Sequence, residues 1–236
     1  MQIKGTKALV TGANRGLGKA FVEALLARGA TTVYATARRP DQIAVPGAVP
    51  LRLDITDATS IAAAAAEVGD LDILVNNAGI STDAPLLGPS TDNIRREFDT
   101  NFWGTLNVTR AFAPRLAGGA ILNVISALSW YAFASSSNGY AASKAAEWSL
   151  TNGVRLELAG QGTQVTALAL AIADTDMMAG VDIPKLPPHE VVARALDGLE
   201  AGDLEVVADR LTANVKASLS RDPALFYADI PGALFA

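Results

Sequence analysis

Short apolar runs of β-type residues alternate with longer stretches of helical period along most of the chain. The runs are KALVTG (7–12), TTVYATAR (31–38), VPLRLDIT (49–56), LDILVNNAG (71–79), AILNVIS (120–126), QVTALAL (164–170) and LEVVAD (204–209). Between them, helices are predicted near 16–28, 57–68, 92–116, 138–159 and 188–201. Runs that are apolar on both faces and alternate with helices predict a parallel sheet covered on both sides. With right-handed crossovers this is an α/β fold, a doubly wound parallel sheet of the Rossmann type with helices on both faces. No repeat or flexible linker interrupts the pattern, so 1–236 reads as a single domain, broken by proline-containing loops at 40–50, 83–89 and 184–188. The tail, 221–236, is apolar without helical period, which predicts that it packs on a neighbouring subunit or covers part of the active site, the first being favoured.

Composition narrows the chemistry. Half of the 236 residues are hydrophobic, enough for one large core. A formal charge of −5 argues against broad nucleic-acid or anionic-membrane surfaces, and no apolar run reaches membrane-spanning length. The expected setting is cytoplasmic. With no cysteine there is no thiolate or disulfide chemistry. The single histidine, His189 in PKLPPHEVV, lacks partners at ligand spacing and suits a helix start, so no metal site is expected. Chemistry is left to Tyr, Lys, Ser, Asn, Asp or a cofactor.

A phosphate cradle follows the first strand. TGANRGLG places Gly12, Asn14, Arg15, Gly16, Leu17 and Gly18 at a strand-to-helix turn, where glycines admit positive φ and the helix N-terminus offers unpaired N–H groups. The second strand ends in YATARR, giving Thr36, Arg38 and Arg39 where an acidic residue would select a free ribose 2′-hydroxyl. These residues, with Arg15 in the loop, point to a 2′-phosphate and so to NADP(H) in preference to NAD(H). Asp54, ending the third strand, is placed to meet the adenine edge. Farther on, GYAASKAAEW puts Tyr140 and Lys144 four residues apart on one helix face among small neighbours.

Taken in order, TGANRGLG, Asp54, NNAG (76–79), Asn101 in TNFWG, Ser126 in NVIS, and Tyr140 with Lys144 in YAASK resemble the short-chain dehydrogenase/reductase family in its short single-domain form. The resemblance implies a carbonyl reductase-like enzyme with a tetrad of Asn101, Ser126, Tyr140 and Lys144. Tyr140 is then the proton donor, its phenol drawn towards working pH by Lys144, which also holds the nicotinamide ribose. Ser126 bonds the substrate oxygen, and Asn101 positions a water. Asn77, Ala78 and Gly79 lie beside the cofactor, and Thr175 contacts its carboxamide or a phosphate. Three features depart from the family. Ser126 lies one residue farther from Tyr140 than is usual, which leaves Ser129, Ser135, Ser136 and Ser137 as further candidates. Leu170 and Ala171 replace a Pro-Gly turn, and the lid at about 175–188 is short and apolar. The implied function is hydride transfer between NADP(H) and a hydrophobic carbonyl or secondary alcohol. The alternative is a non-catalytic dinucleotide-binding sensor on the same fold. Phe98, Phe102, Trp103, Trp148 and Leu150 on the helices at 92–116 and 138–159 predict association, and the resemblance implies a homodimer or homotetramer.

Overall fold

The computed structural model describes residues 1–132, 137–180 and 182–228. Seven strands form the sheet: β1 (Lys7–Val10), β2 (Thr32–Ala37), β3 (Val49–Arg52), β4 (Ile73–Asn76), β5 (Ala120–Val124), β6 (Gln164–Ala169) and β7 (Glu205–Val207). Every neighbouring pair is parallel, in the order β3-β2-β1-β4-β5-β6-β7. This is the doubly wound sheet that the alternating pattern predicts. The order reverses between β1 and β4, and the crevice beyond the C-terminal ends of those strands is where such sheets hold ligands.

Alternation along each strand sends side chains to two separate cores. On one face Ala8, Val10, Ile73, Val75 and Leu122 meet α1 (Gly16–Ala27) through Phe21 and Leu25, and α6 (Pro188–Ala201) through Val191, Val192 and Leu196. On the other, Leu9, Leu74 and Ile121 meet α2 (Ala58–Val68), α4 (Thr105–Phe112) and α5 (Asn138–Glu157) through Ile61, Phe112 and Val154. Full burial of each such side chain contributes about 1.5–3 kcal/mol. Polar groups also cross the second layer. Asn76 Nδ2 donates to Asn123 Oδ1 at 2.9 Å, Asn123 Nδ2 donates to Thr151 Oγ1 at 2.9 Å, and Thr151 Oγ1 donates to the Glu147 carbonyl at 2.8 Å. That seam ties α5 to β5 and β4 in one register.

Two expectations change. The helix predicted over 92–116 is α3 (Asp92–Phe98), a π-helical turn at Asp99–Gly104, then α4. Gly104 lets that turn lie against the third strand's exit, where a Cβ would come within 2.8 Å of Ile55 Cδ1. After β7 a further helix forms, α7 (Arg210–Ala217), started by Asp209, which accepts from Thr212 N at 2.8 Å. The described part of the tail is anchored on its own chain at one residue, while Leu225 and Tyr227 stay exposed. Phe226 is buried with Ala127, Tyr131 and Val215, and the Tyr227 hydroxyl accepts from Ala132 N at 3.4 Å. The rest of the tail lies outside the described residues. Among the described residues, no helix is long and apolar enough to cross a membrane.

Asp209 does two jobs, since Oδ2 also accepts from Ala171 N at 2.8 Å and so pins the turn after β6. Asp209→Ala is expected to destabilise the protein by about 1–2 kcal/mol through loss of the cap and of that bond. Calorimetry is then expected to show Tm lowered by roughly 2–8 °C, taking about 2–4 °C per kcal/mol for a chain of this size; an unchanged Tm would show that neither contact matters.

Candidate active site

The glycine loop leaves β1 with Thr11 N bonded to Val75 O at 3.0 Å and turns through Gly12 (φ 64°) and Gly16 (φ 54°). A Cβ on Gly12 would sit 3.0 Å from Ala78 Cα, and one on Gly18 only 2.1 Å from Gly12 O, so glycine is required at both. Arg15 precedes α1 with extended backbone, and no side chain caps the helix. The first N–H groups of α1 therefore face an open cradle, which suits the pyrophosphate of a dinucleotide. Asn77 fastens the loop from behind: its Nδ2 donates to Thr11 O (2.9 Å) and Gly12 O (3.2 Å). The Asn77 and Ala78 amides both donate to Thr11 Oγ1.

At the adenosine end the residues separate. Thr36 is fully buried and its hydroxyl donates to Val10 O at 3.0 Å, so it faces the sheet and not the cleft. Arg38 and Arg39 are exposed just beyond β2. Partial burial would raise the Asp54 carboxyl, but hydrogen bonds from Thr56 and the charges of Arg38 and Arg52 hold it below its ordinary value. The Gln42 side-chain oxygen accepts from Arg39 Nε at 3.2 Å, with Asn14 close by. Arg15 instead reaches across the cradle to Asp176, NH1 to Oδ2 2.8 Å, both side chains about two-thirds exposed. Thr175 stands beside it, its Cγ2 3.3 Å from where a Gly16 Cβ would lie, while Leu17 packs inward on the first core.

Asn101, Ser126, Tyr140 and Lys144 gather between the exits of β4 and β5. The π-helical turn carries Asn101 inward: its Oδ1 accepts from Ile80 N, and its Nδ2 donates to Ile80 O and to Ser143 Oγ, each at 2.9 Å. A Cβ on Gly79 would lie 3.2 Å from Asn101 Oδ1 and 3.5 Å from Lys144 Nζ, so the NNAG turn opens space next to both. Ser126 is buried at the end of the β5 run, near enough to Tyr140 for its hydroxyl to favour the phenolate, while its Oγ accepts from Leu128 N at 3.1 Å. Ser129 turns back to accept from Ser126 N, and Ser137 donates to Asp83 Oδ1 at 3.0 Å, so of these Ser126 is the one joined to Tyr140. Ser135 and Ser136 lie outside the described residues. Lys144 Nζ lies 5.9 Å from the Tyr140 ring centroid and donates to Val124 O at 2.9 Å.

The electrostatics differ from the expected simple pair. Burial pushes the Tyr140 phenol up; Lys144 pulls it down and Glu147 pushes it up again, leaving it above an ordinary tyrosine. For Lys144 burial is the largest influence and pulls the ammonium down, but the charge and hydrogen bond of Glu147 together with Tyr140 more than offset it, so Lys144 is also held high. Glu147 is a residue of the site that sequence reasoning missed, buried and paired with Lys144. Its signal was there, since positions 140, 144 and 147 share one helical face otherwise made of small residues. Glu97 was missed as well: it is buried at the end of α3, and its Oε1 accepts from Thr82 N at 2.6 Å and from Thr82 Oγ1 at 2.9 Å. Nearby Tyr131 is no rival to Tyr140, because burial and then Asp209 push its phenol up to about 12.

The rim is held from the far side. Leu170 is buried in the first core and its carbonyl accepts from Ala127 N at 2.9 Å, so the turn that lacks Pro-Gly is fixed by Ala127 and Asp209. The lid base is clamped where Asp174 N donates to Leu186 O and Leu186 N donates to Ile172 O. Trp148 faces its own chain, edge-on to Trp130 at 6.4 Å, whereas Trp103 is half exposed beside Phe102.

Comparison with known proteins agrees with this geometry. Residues 6–184 match the family described as short chain dehydrogenase. A short chain dehydrogenase of Burkholderia cenocepacia J2315, solved in complex with NADP, superposes with TM-score 0.92 at 39% identity, covering 98% of this chain and 99% of that one. A sorbitol dehydrogenase of Cereibacter sphaeroides is 36% identical over 195 residues, 77% of this chain and 76% of that protein. A Burkholderia phymatum enzyme in complex with NAD shares the fold at TM-score 0.81 and 22% identity, over 94% of this chain and 98% of that one.

Proposed function

Because the chain belongs to the short-chain dehydrogenase/reductase family of oxidoreductases, we propose that it uses NADP(H) to interconvert a carbonyl and a secondary alcohol, with a hydrophobic ketone as substrate in the reducing direction. The observation that carries this reading is the contact of Ser126 with Tyr140 beside the Lys144 ammonium, at the strand exits where the glycine cradle opens. A bound nicotinamide supplies hydride transfer. The chain's own residues handle the proton and the geometry. Tyr140 delivers its phenolic proton to the substrate oxygen, and a pKa held above that of ordinary tyrosine keeps the proton in place for reduction. Ser126 orients that oxygen. Lys144 presents its ammonium to the cofactor ribose, and Asn101 anchors the Ile80 backbone beside it, next to the path for a relaying water. The uncapped α1 terminus takes the pyrophosphate, and Thr175 borders it.

Tyr140→Phe is expected to fold and bind NADPH normally while kcat for ketone reduction falls by roughly 10²–10⁴-fold. Stopped-flow binding and steady-state assays read the two separately, and near-normal turnover would remove Tyr140 from the mechanism.

Cofactor choice is assigned to Arg38, which stands exposed past β2, with Arg15 able to join it only by leaving Asp176. Losing one charge-assisted contact to a 2′-phosphate should weaken binding by about ten- to a hundredfold. Arg38→Leu is therefore expected to raise KM for NADPH by that factor and leave KM for NADH unchanged. An equal effect on both would show that Arg38 does not read the phosphate.

Phe102, Leu106, Leu150 and Val154 line a groove between α4 and α5, with Trp103 at its edge. We assign this face to a homodimer contact. Light scattering at micromolar concentration is expected to give twice the chain mass or a multiple of it, and a monomer would count against the assignment.

A further inference from the structure

The buried face of α5 carries a third ionisable group beyond Tyr140 and Lys144. Glu147 is 1% exposed, and its Oε2 accepts from Lys144 Nζ at 2.6 Å. Thr105 on α4 hydrogen-bonds the same carboxylate from the other side. An ammonium has three N–H groups. Lys144 spends one on Glu147 and one on Val124 O at 2.9 Å. The third is left for the open side, where a Cβ on Gly79 would come within 3.5 Å of Nζ.

We propose that Glu147 is a positioning residue: it holds the Lys144 ammonium against Val124, and its own buried carboxylate acts on Lys144 and Tyr140 together, setting how tightly the pair holds its protons. The proposal rests on the oxidoreductase reading above.

The charges around the pair fix the sign. Burial drives Lys144 towards its neutral form, and Glu147, followed by Tyr140, more than offsets this. For Tyr140, burial raises the pKa, Lys144 lowers it and Glu147 raises it; the Ser126 hydrogen bond and Glu97 on α3 add smaller opposing effects. Glu147 is itself raised by burial against the pull of Lys144 and Thr105. A buried negative charge increases the proton affinity of every group near it. Deleting that charge therefore lowers the apparent pKa at which the coupled Tyr140 and Lys144 groups lose their first proton.

Glu147→Gln keeps the volume and removes the charge. Reduction needs the protonated phenol and oxidation the phenolate. The alkaline limb of kcat/KM for ketone reduction and the acid limb for alcohol oxidation should therefore both move to lower pH, by about one unit or more. Glu147→Asp restores the charge and should return both limbs towards their original positions even where kcat stays low, which a purely structural role would not produce. A folded, NADPH-binding Glu147→Gln enzyme with unmoved limbs would overturn the proposal. Should that variant fail to fold, lysine-selective ¹⁵N NMR of the unaltered protein decides the matter, with Lys144→Arg identifying the resonance. Lys144 must keep its proton at pH values where exposed lysines have lost theirs, and earlier loss would overturn the proposal. An unaltered protein that turns over no carbonyl with either dinucleotide would sink the oxidoreductase reading, and the NMR titration would still answer for Glu147 and Lys144.

Discussion

Two opposite charges removed from water under the end of β5 constrain much of what surrounds them. Withdrawing a carboxylate or an ammonium from water costs several kcal/mol each, and only close pairing with further hydrogen bonds offsets it. Lys144 and Glu147 meet at 2.6 Å, with Val124 O accepting a second N–H of the ammonium and Thr105 supporting the carboxylate. Such a pair tolerates little slippage: a shift of α5 along the sheet would leave one charge uncompensated. The asparagine and threonine seam from Asn76 through Asn123 to Thr151 fixes that register with neutral groups, one turn away from the charges.

With α5 fixed, the cleft follows from its neighbours. Tyr140 lies a turn before Lys144 and therefore meets Ser126 at the β5 exit. Ser143, between them in sequence, takes a bond from Asn101 Nδ2 and donates to the Tyr140 carbonyl at 2.7 Å. That links α5 to the π-helical turn, whose extra residue per turn swings Asn101 towards Ile80. A regular helix through 99–104 would rotate Asn101 away from the strand exits, and π turns recur where a side chain has to be redirected in this way.

The strands were legible because a parallel sheet buried on both faces leaves unbroken apolar runs, and the glycine loop because positive φ leaves few residue choices. The tetrad was legible as spacing and motif. What escaped notice has a physical reason in each case. A π turn shifts a helical period by a single residue, too little to see within the one long stretch at 92–116. Thr36 ends a strand whose alternation sends its hydroxyl to Val10, and a small polar residue looks the same whether it caps a backbone oxygen or faces a ligand. The start of the tail is helical at 223–228, a stretch too short to show a period in the sequence, and its buried residue Phe226 packs on Ala127, Tyr131 and Val215, which are distant in sequence. Glu147 shares the helical face of Tyr140 and Lys144, but spacing alone does not distinguish a solvated glutamate from one buried as this one is.

The rim and the floor of the site are held by forces of different strength, and this bears on how the site works. The floor is a buried ion pair within a hydrogen-bonded seam, whose dissection would cost several kcal/mol. Across the rim, the link between the glycine loop and the segment after β6 is Arg15 with Asp176, both mostly exposed. Exposed pairs contribute about 0–1 kcal/mol and weaken further with salt. Arg15 can therefore leave Asp176 for a phosphate at small cost, while the clamp between Asp174 and Leu186, and Lys185 Nζ donating to Met178 O at 2.8 Å, hold the segment after β6 in place. The groups that move protons stay rigid to keep their proton affinities, and the groups that admit a dinucleotide are the ones free to change partners.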